Sequence, residues 1–193
     1  MRKARQYARR NIDVFEKLNL DAIVINAAGC GSTLKEYGRL LRDDPRYAER
    51  AAAFSKKVKD LSEFLVTQET AARGSRFTAP NQPLRVTFHD ACHLAHAQGI
   101  KSAPRQLLRS VEGIELVELN ESDVCCGSAG SYNLTEPKMA DQLQRRKIEN
   151  IRQTGVKVII TTNPGCILQI QEGLQKAGLD VRVVHIAEFL DQL

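Results

Sequence analysis

Apolar residues recur at Ala4, Ala8, Ile12, Phe15 and Leu18, in steps of three and four that place one apolar stripe along an amphipathic helix over residues 2–18. A short continuous run at 22–26, AIVIN, predicts a strand buried on both faces. The loop AAGCG then leads to a helix that opens at Ser32 as N-cap and runs through Leu41. An alanine-rich helical pattern extends from Pro45 to about Val66.

The period changes after residue 83. LRVTFH (84–89) and IELVEL (114–119) read as strands, with a helix beginning just past Cys92 between them. ESDVCCGSAGSYNL (121–134) is a loop. It is followed by a helix with Thr135 as cap and Pro137 in its first turn. The strand VKVIIT (156–161), the loop NPGC, a helix stopped by Gly178, the strand VRVV (181–184) and a last helix complete the chain. Strands alternating with helices give an α/β class with parallel sheets.

An internal repeat organises these elements. At an offset of 136, residues 8–30 match residues 144–166 without gaps: Arg9/Arg145, Arg10/Arg146, Ile12/Ile148, Ile23/Ile159, Gly29/Gly165 and Cys30/Cys166 are identical. Each copy ends in a similar segment, DLSEFL (60–65) and HIAEFL (185–190). The expected architecture is two related lobes, each a short parallel sheet flanked by helices, with the first lobe incomplete. Residues 1–69 are the back half of a first unit, the Gly-, Ser- and Pro-containing stretch 70–83 is a linker, and 84–193 are a complete second unit. Because Cys30 has no partner set in its own half, we expect the chain to be the C-terminal piece of a longer protein rather than one that lost a half-unit.

Composition narrows the class. The 193 residues are 42% hydrophobic and 26% charged, which excludes wholesale disorder. The basic N-terminus lacks the apolar core of a signal peptide, so a cytoplasmic location is expected. A net charge of +5 invites a nucleic-acid reading, but there is no Trp and only 5% aromatics to stack on bases, so no nucleic-acid partner is expected. The excess is read as a solvated helix face, with an acidic partner or an anionic membrane surface as the functional alternative.

Five cysteines in a reducing compartment point to metal or redox chemistry. Cys92, then thirty-two residues, the pair Cys125–Cys126, then thirty-nine residues, and Cys166 each follow a predicted strand, where the loops of a parallel sheet gather. Four converging thiolates suit an iron–sulfur cluster or an all-cysteine zinc site. Adjacent Cα atoms are only about 3.8 Å apart, which suits two irons better than one tetrahedral ion, and paired zinc knuckles are absent. Single cysteines are often plain packing; a vicinal pair in a Gly/Ser loop is not. Gly127, Ser128 and Gly130 supply N–H groups for the sulfurs, and Pro164 with Gly165 makes a tight turn that aims Cys166. His89, His93 and His96 crowd Cys92: a Cys–His nucleophile, a mixed zinc site using His93 or His96, and supporting hydrogen-bond donors are the alternatives. Asp90 could cap the helix that follows, and His185 is structural. No dinucleotide or Walker motif and no bacterial ferredoxin run occurs, so no substrate or flavin site is evident.

The segments HDACHLAHAQGI (89–100), CCGSAGSYNL (125–134), NPGC (163–166) and AAGCGSTLKEYG (27–38) resemble the cysteine-rich CCG domain, most closely the C-terminal region of glycolate oxidase (dehydrogenase) iron–sulfur subunits. The resemblance covers essentially the whole chain. It implies electron transfer: a flavin-containing partner subunit oxidises glycolate to glyoxylate, and the iron–sulfur subunit relays electrons toward quinone, in peripheral association with the inner membrane. It places cluster ligands, a [4Fe-4S] cluster being expected, at Cys92, Cys125, Cys126 and Cys166, and at Cys30 in the first unit. One departure stands out. The fuller pattern of heterodisulfide reductase ends in C-x-x-C, whereas Asn163 and Ala27 fill the first of those positions here, which speaks against a five-cysteine cluster. The competing functions are a zinc-binding structural or docking module, a heterodisulfide-reductase-like thiol redox subunit, and a thiol enzyme acting through Cys92 and a neighbouring histidine.

Overall fold

The computed structural model describes residues 2–72 and 83–193. Helix α1 (Arg2–Phe15) buries Ala8 and Ile12 along the stripe read from its periodicity, and a 3-10 turn (Glu16–Leu18) ends it at Asn19 in the left-handed region (φ 47°). Strand β1 (Ile23–Ile25) leads into α2 (Ala28–Lys35), α3 (Tyr37–Leu40) and α4 (Ala48–Lys57). Strand β2 (Val58–Asp60) then pairs parallel with β1, Ile23 opposite Val58 and Ile25 opposite Asp60, and α5 (Leu61–Ala72) follows. Ile12, Ile23, Tyr37, Leu41, Phe54 and Val58 form the core of this part, with Tyr37 and Phe54 stacked at 5.3 Å.

Three expectations change here. The continuous helix expected from Pro45 to Val66 is broken by β2, because the chain leaves helical geometry at Val58 (φ −73°, ψ 123°) to reach β1. The β1 strand is not buried on both faces: Ile23 is buried but Val24 is 38% exposed, because this sheet has only two strands among the described residues. Ser32 does not start a helix. It lies inside α2, which begins at Ala28, and its hydroxyl donates to the Gly29 carbonyl at 2.9 Å. Of the stretch expected to be a linker, residues 70–72 finish α5 and 73–82 lie outside the described residues.

The second part is built on β3 (Leu84–Phe88), β4 (Ile114–Val117), β5 (Val158–Thr161) and β6 (Arg182–His185), all parallel, in the order β4-β3-β5-β6. A π-helical turn (His93–Ala97) and α6 (Ser102–Ser110) link β3 to β4. α7 (Tyr132–Thr135) and α8 (Pro137–Thr154) precede β5, α9 (Pro164–Lys176) links β5 to β6, and α10 (Ile186–Asp191) ends the fold. Thr135 closes α7 instead of capping α8, whose flanking residue is Glu136, although Pro137 does occupy the first turn. One face of the sheet packs Leu94, Ile148, Ile151, Ile159 and Ile170. The other packs Phe88, Leu107, Ile160 and Phe189, joined by Leu61 and Leu65 of α5. Each such buried side chain contributes roughly 1.5–3 kcal/mol.

The class is therefore α/β, with two small parallel sheets flanked by helices. α8-β5-α9 is followed directly by a parallel partner strand and a further helix, and α1-β1-α2 by α3 and α4 and then by such a strand and helix. The two first turns that follow β1 and β5 also touch. The Ala28 N–H donates to the Thr162 carbonyl at 3.1 Å, and the Gly29 N–H to Asn163 Oδ1 at 3.3 Å.

Candidate functional site

The chain runs from β3 outward to β4, then crosses back to β5 and on to β6, so its direction of winding reverses between β3 and β5. At such a reversal the segments leaving two neighbouring strands diverge and open a crevice at the carboxyl edge. His89, Asp90 and Cys92 leave β3 into this crevice, and Asn163 and Cys166 leave β5. The loop after β4 brings Cys125 and Cys126 across. The His89 N–H donates to the Ile160 carbonyl (2.9 Å) and Thr161 Oγ1 donates to the His89 carbonyl (3.0 Å), so the backbone at His89 is locked against β5.

The four cysteines of the later half meet. Sulfurs of Cys92 and Cys125, of Cys125 and Cys126, and of Cys126 and Cys166 are in hydrogen-bonding contact. Cys126 and Cys166 are 1% and 3% exposed, and Cys92 and Cys125 are half-buried. Cys166 is not in a loop: Pro164, Gly165 and Cys166 form the first turn of α9, where helix-end N–H groups favour a thiolate. Hydrogen bonds from Cys126 and then Cys92 hold the Cys125 thiol far below its ordinary range. The contact with Cys126 likewise draws Cys166 down to about 5 against burial, with His89 adding to the effect. Their partners move the other way: Cys92 is pushed up by its contact with Cys125 and by burial, and Cys126 by Cys125, Cys166 and burial. The protonation of the four sulfurs is thus linked, and a metal that takes thiolate ligands would displace their protons.

Of the three residues expected to serve the sulfurs through their backbone, Gly127 and Ser128 do so, toward Cys125 and Cys126; among the described residues no such contact is found for Gly130. The Gly127 N–H points at Cys125 Sγ (3.3 Å), and the Asn163 side-chain amide lies 3.6 Å from Cys166 Sγ. Gly165 packs closely against Ser128: a Cβ there would sit 2.9 Å from its Oγ, so the serine side chain would have to turn aside.

Cys30 lies apart: it is exposed in the first turn of α2, not in a loop, and outside the four-sulfur group. Of the histidines named for a mixed site, His96 is exposed with Nε2 on the Asp123 carbonyl (3.0 Å), and His93 stands beside Gly29, where a Cβ would be 3.5 Å from its Nδ1. The imidazole at the site is that of His89, fully buried, with a ring nitrogen and the sulfurs of Cys126 and Cys166 all within 4.8 Å of one another. Its position, first after a central parallel strand, matches the placement of the cysteines and is the signal that could have singled it out. His185 caps α10, accepting from the Ala187 N–H at 3.1 Å.

Asp90 caps nothing. Its carboxylate is nearly fully buried and takes two hydrogen bonds from Arg105, at 2.8 and 2.9 Å; Arg105 also reaches Ser122 Oγ (3.3 Å) and Glu118 Oε2 (3.0 Å). Lys147 is 1% exposed and donates to the carbonyls of Glu121 and Ser122, burial drawing its ammonium down to about 8. Both cations tie the loop that carries the cysteine pair to the scaffold. Arg105→Ala strands the Asp90 carboxylate in the interior, so urea unfolding should show a loss of about 3–5 kcal/mol; a loss below about 1 kcal/mol would mean that water reaches Asp90. The basic residues noted in the sequence, Arg9, Arg145 and Arg146, pair with Asp44, Asp141 and Glu121. Among the described residues no helix is long and apolar enough to cross a membrane.

This donor set fits an iron–sulfur centre: four convergent thiols, two of them drawn toward thiolate, N–H donors on two sulfurs, and a buried imidazole without a hydrogen-bond partner. The comparisons with known proteins agree. The model of the cysteine-rich domain named CCG matches residues 1–35 and 86–171. The chain is 42% identical over 188 residues to the probable glycolate oxidase iron-sulfur subunit of Bacillus subtilis (strain 168), covering 96% of this chain and 42% of that protein. It is 41% identical over 172 residues to a subunit of the fumarate reductase (CoM/CoB) of Methanothermobacter marburgensis, 89% of this chain and 32% of that one. To lactate utilization protein A of Exiguobacterium sp. it is 31% identical over 191 residues, 98% of this chain and 76% of that one. The chain spans less than half the length of the first two of these relatives.

Proposed function

The chain belongs to the cysteine-rich CCG domain family, and on that footing we propose that it holds an iron–sulfur cluster through Cys92, Cys125, Cys126 and Cys166 and serves as an electron-transfer part of an oxidoreductase complex. Bound there, a cluster supplies one-electron chemistry, and the cluster type we propose is [4Fe-4S]. The observation that carries the reading is the meeting of four sulfurs from three distant segments at the winding reversal of the sheet.

The protein's own groups do the rest. Cys126 and Cys166 close the buried side, the Gly127 N–H and the Asn163 amide face the sulfurs of Cys125 and Cys166, and Lys147 and Arg105 keep the cysteine-pair loop in place. An open groove of about 500 Å³ bordered by Ser128, Gly130, Leu134, Gly165 and Leu168 gives a redox partner a way to approach from the side of the pair. The finer proposal follows the name of the Bacillus relative: a flavin-containing partner subunit oxidises glycolate to glyoxylate, and quinone accepts the electrons. In this proposal residues 1–69 and 84–193 are a partial and a complete copy of one unit.

Anaerobic reconstitution with iron and sulfide tests the reading. It should give about four irons per chain, one for each thiolate ligand, and a brown colour that bleaches on reduction; a colourless chain with one tightly held zinc would overturn it in favour of a structural module. Cys30→Ala should leave the iron content within about a tenth of the unaltered chain, because Cys30 stands outside the group of ligands. Loss of iron in that variant would show that the ligands have been divided wrongly.

A further inference from the structure

We propose that His89 is a nitrogen ligand of the same metal centre, giving it five protein donors; the inference rests on the iron–sulfur reading above. Among the described residues the His89 ring is 0% exposed and neither Nδ1 nor Nε2 has a hydrogen-bond partner. A buried imidazole normally satisfies at least one nitrogen, and each polar group left unsatisfied costs about 1–3 kcal/mol. A metal ion that accepts the lone pair of one nitrogen removes that cost on one side of the ring.

The position of the ring points to the metal site. A ring nitrogen, Cys126 Sγ and Cys166 Sγ all lie within 4.8 Å of one another. One ion with bonds of about 2.0–2.3 Å to nitrogen and sulfur fits between donors at such separations. By distance and angle neither ring nitrogen forms a hydrogen bond, but the ring lies close enough to the Cys166 sulfur to help lower its thiol, and that sulfur also has the Asn163 amide 3.6 Å away. The ring also has little freedom to leave. The His89 N–H and carbonyl are both tied to β5, through Ile160 and Thr161, and the side chain is enclosed in the core. The other histidines stand elsewhere: His93 against Gly29, His96 at the Asp123 carbonyl, His185 at the start of α10. Asn163 is the residue found where a fifth cysteine would stand in a C-x-x-C ending, and His89 approaches the same sulfur as a donor of a different kind.

The test is pulsed electron paramagnetic resonance of the reconstituted, reduced chain with 15N in all four histidines. The expected result is a strong 15N coupling of a directly bonded nitrogen, kept in His93→Ala and His96→Ala and lost in His89→Ala. The labelled unaltered chain gives the first reading without any variant, and His89→Gln repeats the loss if the alanine variant folds poorly. A reduced cluster showing only weak, through-space nitrogen coupling would overturn the ligand and leave the electron-transfer reading standing. A chain that takes up no cluster would overturn both.

Discussion

Cys126→Ala should abolish metal loading while leaving the fold in place. Cys126 is 1% exposed and, like Cys125, is in contact with two other sulfurs, here Cys125 and Cys166, so its loss divides the remaining thiols into separate sets. Removing an outer partner of a metal ligand already costs 10–100-fold in affinity, so losing a direct ligand should lower iron affinity by at least about 100-fold. The side chain removed is small, and the surrounding apolar residues, among them Ala91, Ile148 and Ile170, remain to hold the segment. Circular dichroism of the metal-free variant should therefore overlay that of the unaltered chain. Iron content near four per chain in Cys126→Ala would remove this residue from the ligands.

Gly127→Ala should damage both the fold and the metal loading. Gly127 has φ +96°, where an L side chain is strained, and a Cβ there would fall 2.4 Å from the carbonyl oxygen of Ala140, a backbone atom in the early part of α8 that cannot swing aside. Strain of about 1–3 kcal/mol adds to overpacking of similar size, so urea unfolding should show a loss of about 2–5 kcal/mol. Relief comes only by moving the loop away from α8, which withdraws the Gly127 N–H from Cys125 and the pair from Cys166. Iron content should fall several-fold with stability. Gly130→Ala is the control. Gly130 also has positive φ (+67°), but nothing lies within 4 Å of its Cβ position, so only the cost of strain should appear. Equal effects in the two variants would show that strain alone, and not the collision with Ala140, governs the loop.

Much of this was legible along the chain because parallel strands and their helices write different periods. The 2–18 stripe, the four strands of the second sheet and the break at Gly178 follow from that contrast alone. The cysteine spacing placed four sulfurs at one sheet edge, and the edge is where they meet. The misses have physical reasons. β2 is only three residues long, and the alanines before it continue a helical pattern up to the point where pairing with β1 prevails over local propensity. The similarity of DLSEFL to HIAEFL is a signal that could have located it, since the later copy is preceded by a strand. Gly29 and Gly165 read as loop residues, yet each lies in the first turn of a helix, Gly165 packed closely against Ser128. The tie between Asp90 and Arg105 and the buried Lys147 depend on the strand order β4-β3-β5-β6, which comes from pairing across long separations and leaves no local trace.

Cysteine footprinting of the anaerobically reconstituted chain tests the shared centre most directly, with each thiol's alkylation read by mass spectrometry before and after the metal is stripped. Cys92, Cys125, Cys126 and Cys166 should all be protected in the loaded chain; when the metal is removed Cys92 and Cys125 should become reactive and Cys126 and Cys166 should follow more slowly because the fold buries them, while Cys30 is labelled in both states. Protection of Cys30, or rapid labelling of any one of the other four in the loaded chain, would contradict a single centre held by those four sulfurs.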